Sequence, residues 1–302
     1  MVATTGLEPA RGLSPSTSSR PEPRLTGVRY DPDRVAAFYD EYGEQEWTRF
    51  EGGPSSPLSI AVHAHVLRRF IHAGDRVLDA GAGPGRFTIE LAQIGASVLV
   101  LDVSSAQLEL NRAKLAEAGL SSSVEGWVQA DITSLGVIPD GEFDAVVCFG
   151  GPVSYVMDQA DAAVTELLRI VRPGGHVLLS VMSLLGVVTP VRFLLSDLRA
   201  FGPDAVQGVI DTGDLPSTMI RGHAPMHLYR WSELSELLGR HPCEIVAASS
   251  SGFAIGLLHN ELIAGMTEDE RKLITSWAIE LAPERGAIDV SEHIIVVVRK
   301  AS

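Results

Sequence analysis

The chain has 302 residues, 45% of them hydrophobic and 21% charged, and no apolar run approaches the roughly 20 residues of a membrane span. That composition excludes a membrane-spanning protein and a chain disordered throughout. The net charge of −14 is uneven: the first 29 residues carry four arginines against two glutamates, which leaves −16 on the rest and sets it against phosphate backbones.

Residues 1–29 are rich in Ser, Pro and Arg, cannot build a core, and read as a disordered tail without the apolar segment of a secretory signal. Residues 31–50 read as helix with several aromatics, and residues 57–71 as a second helix with Pro57 in its first turn. RVLDAGAG (76–83) is a buried strand running into a glycine turn, followed by a helix and by SVLVLD (97–102), a second buried strand. An amphipathic helix runs from Ser104 to Gly119, and VEGWVQAD (124–131) and FDAVVCFG (143–150) are strands three and four. A helix from about Asp158 to Val171 precedes HVLLSV (176–181), strand five. Strands alternating with helices give an α/β, doubly wound parallel sheet, because parallel neighbours need crossover helices on the sheet faces.

The alternation stops at residues 183–230, read as a helix near 191–201 and then a Gly/Pro/Asp loop. WSELSELLGR (231–240) resumes as a helix with Ser232 as N-cap. CEIVAASS (243–250) is a sixth strand. A capping box pairs Thr267 with Glu270, and HIIVVVRK (293–300) is a seventh strand. Cys148 and Cys243 form neither a disulfide framework nor a metal-ligand spacing and are read as structural.

The chemistry concentrates at the first turn. Asp79, Gly81, Gly83 and Gly85 stand at the carboxyl end of strand one, where ligands of open α/β sheets bind. Asp102 ends strand two, placed to accept both hydroxyls of a ribose, and Asp131 ends strand three, placed to meet an adenine edge. A dinucleotide fingerprint needs glycine at 86, where this chain has Arg86, and no phosphate-binding GxxxxGK[ST] sequence is present.

The remaining pattern, Asp-x-Gly-x-Gly-x-Gly followed by FDAVVCFG and LLRIVRPGGHVLLSV, resembles the class I S-adenosylmethionine (SAM)-dependent methyltransferases. The likeness extends to bacterial enzymes acting on small molecules of specialised metabolism. It implies a Rossmann-like seven-stranded sheet, parallel with one antiparallel strand, with helical cap insertions at about 31–70, 183–230 and 253–290. Residues 30–302 would then form one methyltransferase domain that uses SAM. Gly81 and Gly83 would pass the methionine moiety, Asp79 would order the loop, and Asp102 would bind the ribose with Val103 beside the adenine. Asp131 would accept from the adenine amine, Ile132 would pack on the ring, and Phe149 and Gly150 would lie by the methionine part.

The acceptor site must come from the caps. GPVSY after strand four, in place of an Asn/Asp-Pro-Pro-Tyr, lowers the odds of nucleobase or glutamine amine methylation, and no Pro-Cys nucleophile follows that strand. A small organic acceptor is expected, methylated at a ring carbon such as that of an indole, or at N or O. Candidate bases are Tyr42, His227 and Tyr229; Tyr39 shares a helix face with Tyr42, Trp47 is placed to wall the cleft, and His223 stands near His227. Core packing of the cap helix is an equal reading for Tyr39, Tyr42 and Trp47, and a solvent-facing or hydrogen-bonded loop position is the favoured one for His223 and His227. His63 and His65 cannot share a helix face and His293 opens a strand, so no metal site is expected. The partners expected are the small-molecule acceptor and, as an open alternative, a second copy in a homodimer; no nucleic acid is favoured and no membrane. A cytoplasmic location follows from the same reading. The competing readings are a tRNA or protein methyltransferase and a non-catalytic SAM-binding protein.

Overall fold

The computed structural model describes residues 29–52, 56–188, 191–219, 223–252 and 265–302. The tail expected before Arg29, and residues 253–264 of the last cap segment, lie outside them.

The strands form where the apolar runs were read. β1 (Arg76–Ala80), β2 (Ser97–Asp102), β3 (Val124–Gln129), β4 (Phe143–Cys148) and β5 (Val171–Met182) are mutually parallel. β8 (Cys243–Ser250) and β9 (His293–Lys300) complete a seven-stranded sheet of order β3-β2-β1-β4-β5-β9-β8. β9 runs antiparallel to both of its neighbours and is the one reversed strand. β6 (Asp214–Leu215) and β7 (Met226–His227) make a separate two-stranded ribbon.

Side chains alternate across the central strands, and both faces are covered, which is why these strands read as continuous apolar runs. On one face Leu78 and Ala80 join Val146 and Cys148 against α7 (Ala160–Ile170) and α11 (Trp231–Gly239). On the other, Val77 joins Ala145, Val147 and Phe149. The helices covering that face are α3 (Ser56–Phe70), α4 (Arg86–Ile94), α5 (Ser105–Glu117) and α12 (Glu268–Leu281). Strand order reverses between β1 and β4, so their carboxyl ends open a crevice.

The caps stand over that crevice. α1 (Pro32–Tyr42) and α2 (Gln45–Gly52) precede α3, α6 (Pro152–Tyr155) follows β4, and α8 (Leu184–Val188), α9 (Val191–Phe201) and α10 (Pro203–Thr212) follow β5. α13 (Arg285–Ile288) leads into β9.

Two local expectations need correction. Residues 203–212, read as loop, are α10: its glycines and prolines are its punctuation, with Pro203 in the first turn and Gly213 left-handed (φ 81°) at the C-cap. α11 is capped at Arg230, not Ser232, and its Trp231 N–H donates to Asp289 Oδ1 at 2.8 Å. The cap oxygen therefore comes from 58 residues away. The Thr267–Glu270 capping box forms as read.

Candidate functional site

The turn after β1 bends through Gly81 (φ 70°), Gly83 (φ 52°) and Gly85 (φ 101°), all in the left-handed region that glycine alone adopts freely. At Gly81 space matters as well: a Cβ there would lie 2.4 Å from Pro152 Cγ of α6. Asp102 holds this turn from the end of β2. One carboxylate oxygen accepts the Gly83 N–H at 2.8 Å and the other the Ser104 N–H at 2.9 Å. Asp79 lies buried beneath the turn and accepts from Thr88 Oγ1 at 2.6 Å. Burial pushes Asp79 up to about 7 and Asp102 up to about 6, with the hydrogen bonds opposing that rise.

The cavity over this turn is lined by Gly81, Gly83, Asp102, Val103, Asp131, Ile132, Phe149 and Gly150. Eight of the nine residues expected around the cofactor are thereby brought to one space, and the ninth, Asp79, supports it from below. Asp131 accepts the Thr133 N–H at 2.8 Å and meets the Tyr30 phenol, whose pKa burial and that carboxylate raise.

α1 and α2 form the opposite wall. Asp40 caps the start of α5, accepting from Ser104 Oγ at 2.6 Å and the Ala106 N–H at 3.0 Å. Gln107 Nε2 donates to the Tyr39 and Gly43 carbonyls. Arg86, standing where the dinucleotide pattern needs glycine, stacks on Trp47 with its guanidinium carbon 3.6 Å from the ring centroid and donates to the Trp47 carbonyl. Trp47 itself is not a cavity wall; it backs Arg86, which is.

Sequence reasoning missed the cap residues that do line the cavity: Tyr30, Glu46, Arg49 and Tyr155. Glu46 and Arg49 pair through two 2.7 Å bonds, and burial holds the Glu46 carboxyl above its usual range despite that partner. Their i, i+3 spacing was visible, and so was Tyr155 in GPVSY. The Tyr155 ring meets that of Tyr39 edge to face, and its hydroxyl lies 3.2 Å from His223 Nδ1. Behind this wall His63 and His293 are buried with ring centroids 5.9 Å apart, each lowered to about 3, by burial above all.

None of the three candidate bases lines the cavity. Tyr42 stacks on Phe38, with centroids 5.6 Å apart, and does not reach the cavity that Tyr39 lines. Tyr229 is buried in the core. His227 bonds Asp214 through Nδ1 and Glu233 through Nε2, both at 2.7 Å. Burial pulls its pKa down, but the two carboxylates outweigh that and raise it to about 9. A ring whose two nitrogens both donate is a charged clamp between β6, β7 and α11, with no lone pair to serve as a base. No cluster of three or more metal-ligating side chains occurs among the described residues.

Known proteins resemble this chain in sequence and in fold. Residues 77–175 match the family described as a methyltransferase domain. Over 200 residues the chain is 30% identical to the ubiquinone/menaquinone biosynthesis C-methyltransferase UbiE of Pseudomonas fluorescens (strain Pf0-1), covering 63% of this chain and 69% of that protein. It spans 61% of the corresponding protein of Pseudomonas paraeruginosa. Two solved structures share the fold. The [4+2]-cyclase SpnF is 20% identical with a TM-score of 0.59, covering 91% of this chain and 98% of that one. The 1,6-didemethyltoxoflavin-N1-methyltransferase of Burkholderia thailandensis is 17% identical with a TM-score of 0.53, covering 92% and 94%.

Proposed function

Because the chain belongs to the class I SAM-dependent methyltransferases, we propose that it methylates a ring carbon of a small, electron-rich organic acceptor enclosed beneath its caps. SAM supplies a methyl group already activated by a sulfonium charge. The residues suit that ligand. The glycine turn lets a ligand approach the backbone, and two buried carboxylates raised by desolvation would be drawn back down by a cationic group beside them.

In this reading Gly81 and Gly83 pass the methionine portion, with Phe149 and Gly150 beside it. Asp102 takes the ribose hydroxyls while keeping the turn in place. Val103 and Ile132 sandwich the adenine, Asp131 accepts from its amine, and Tyr30 closes that end.

The observation that carries the acceptor reading is that one cavity has both sets of walls: the strand ends above, and Tyr39, Glu46, Arg49 and Tyr155 from the caps. Apolar faces with a few convergent polar groups suit a small ring. Carbon methylation is the activity named for the Pseudomonas relatives. The acidic body argues against an RNA acceptor. No helix among the described residues is long and apolar enough to cross a membrane.

Asp102→Ala tests the cofactor site by calorimetry with S-adenosylhomocysteine. Loss of a charge-assisted partner and of the turn's anchor is expected to weaken binding by about 10- to 100-fold. Unchanged affinity would show that the ligand lies elsewhere.

A further inference from the structure

Three proton-bearing groups from three segments form a line at the cap wall. Tyr39 of α1 and Tyr155 of α6 meet edge to face with centroids 5.6 Å apart, and both line the cavity. The Tyr155 hydroxyl lies 3.2 Å from His223 Nδ1. A Tyr155 proton directed at His223 makes Nδ1 the acceptor and leaves the neutral ring's own proton on Nε2.

The resting charges agree with that direction. Burial and Arg49 lower His223 to about 4, with Glu292 opposing, while burial raises Tyr155 to about 12. Near neutral pH the pair is therefore a neutral phenol beside a neutral imidazole. Among the described residues, His293 and Glu46 are the other titratable groups around the pair.

We propose that Tyr155, backed by His223, removes the ring proton of the carbon that is methylated. The inference rests on the methyl-transfer reading above. As the ring carbon attacks, its π pair forms the new C–CH3 bond while the S–CH3 bond breaks with its pair left on sulfur. The ring is left cationic, with a hydrogen still on the methylated carbon. That C–H pair then returns to the ring, the proton passes to the Tyr155 oxygen, and the original Tyr155 proton passes to His223 Nδ1. The positive charge ends on the imidazolium.

Basicity selects carbon over oxygen. An imidazole that resists protonation is far too weak to ionise a phenol, whose usual pKa is about 10. It is ample for a ring cation, which sheds its proton only after the methyl group has arrived. Tyr155 is the catalytic residue here, and His223 is a positioning residue that accepts charge through it.

The test uses the full chain, SAM, and 1,4-dihydroxynaphthalene with hydrogen or deuterium on its ring carbons. Wild type is expected to give ring-methylated product. Tyr155→Phe and His223→Asn should each lower kcat by about 100-fold, with KM nearly unchanged. Both should bind S-adenosylhomocysteine like wild type, which controls for folding. Asn keeps an acceptor at the Nδ1 position without its basicity, so a fall in His223→Asn separates proton acceptance from mere support of Tyr155. A hydrogen/deuterium effect absent from wild type should appear in both variants, and nitrogen NMR should find His223 Nδ1 unprotonated.

Near-normal kcat in both variants, or a protonated Nδ1, overturns the proposal. So does a wild type that binds S-adenosylhomocysteine yet never methylates the ring. A wild type that does not bind S-adenosylhomocysteine overturns the cofactor reading along with it.

Discussion

The Asp102 carboxylate accepts the Gly83 N–H at 2.8 Å, so the acid that ends β2 also holds the glycine turn that follows β1. Burial raises that acid to about 6 and its neighbour Asp79 to about 7, in both cases above a free side chain. A carboxyl raised on folding stabilises the chain fully only below its unfolded value, and that contribution is lost as pH rises through the folded value. The two acids therefore lower the stability of the free chain as pH rises from about 4 to 7, and that loss persists above pH 7. A cationic ligand favours their ionised forms and reverses the sense.

SAM affinity is accordingly expected to fall as pH drops below 7, by up to about tenfold per pH unit for each group still titrating. Calorimetry at several pH values, in buffers of different ionisation enthalpy, would register proton release on binding. Affinity that is flat from pH 8 to about 5.5 would disconnect these acids from the ligand.

Gly81 and Gly83 are expected to differ although they share a turn. Gly81→Ala drives a Cβ to 2.4 Å from Pro152 Cγ, so the start of α6 must move, and both melting temperature and S-adenosylhomocysteine affinity should fall clearly. Gly83 has open space around its Cβ position, and Ala there meets only the strain of a left-handed backbone, about 1 kcal/mol. Equal losses at both sites would mean that contact with Pro152 is unimportant.

His227 is expected to govern stability rather than chemistry. Its pKa is raised to about 9 on folding, so its contribution is complete below about pH 6.5 and is lost as pH rises through 9. The partners Asp214 and Glu233 are partly exposed, which limits the effect to on the order of 2 kcal/mol. Thermal melts of His227→Gln against wild type should differ most at pH 6 and converge toward about pH 10. A constant difference across that range would remove charge from the account.

The sheet and the cofactor end were legible because their signals are local. A strand buried on both faces must be an unbroken apolar run, and a turn needing left-handed residues must show glycines next to it in sequence. Beyond the i, i+3 pair Glu46 and Arg49, the acceptor wall has no such signature: Tyr39, that pair, Tyr155 and His223 come from separate segments, and their proximity is decided by how α1 and α2 dock. His223 and His227 stand four residues apart in one short stretch, yet one is a neutral acceptor and the other a charged clamp. What separates them is Tyr155 on one side and Asp214 with Glu233 on the other, which spacing alone does not reveal. The N-cap of α11 was misplaced for the same reason, since Asp289 supplies the oxygen from far along the chain.

The docking of α1 and α2 has a consequence for redesign. Asp40 bonds the first turn of α5, and Trp47 covers the first residue of α4, so the cap is fastened to the same helix ends that flank the glycine turn. A foreign cap grafted in to change the acceptor would bring new pocket walls but sever those fastenings unless it also carried an acid and an aromatic in register. Specificity in this chain is thus more readily exchanged one side chain at a time, at Tyr39, Glu46, Arg49 or Tyr155, than by swapping the segment whole.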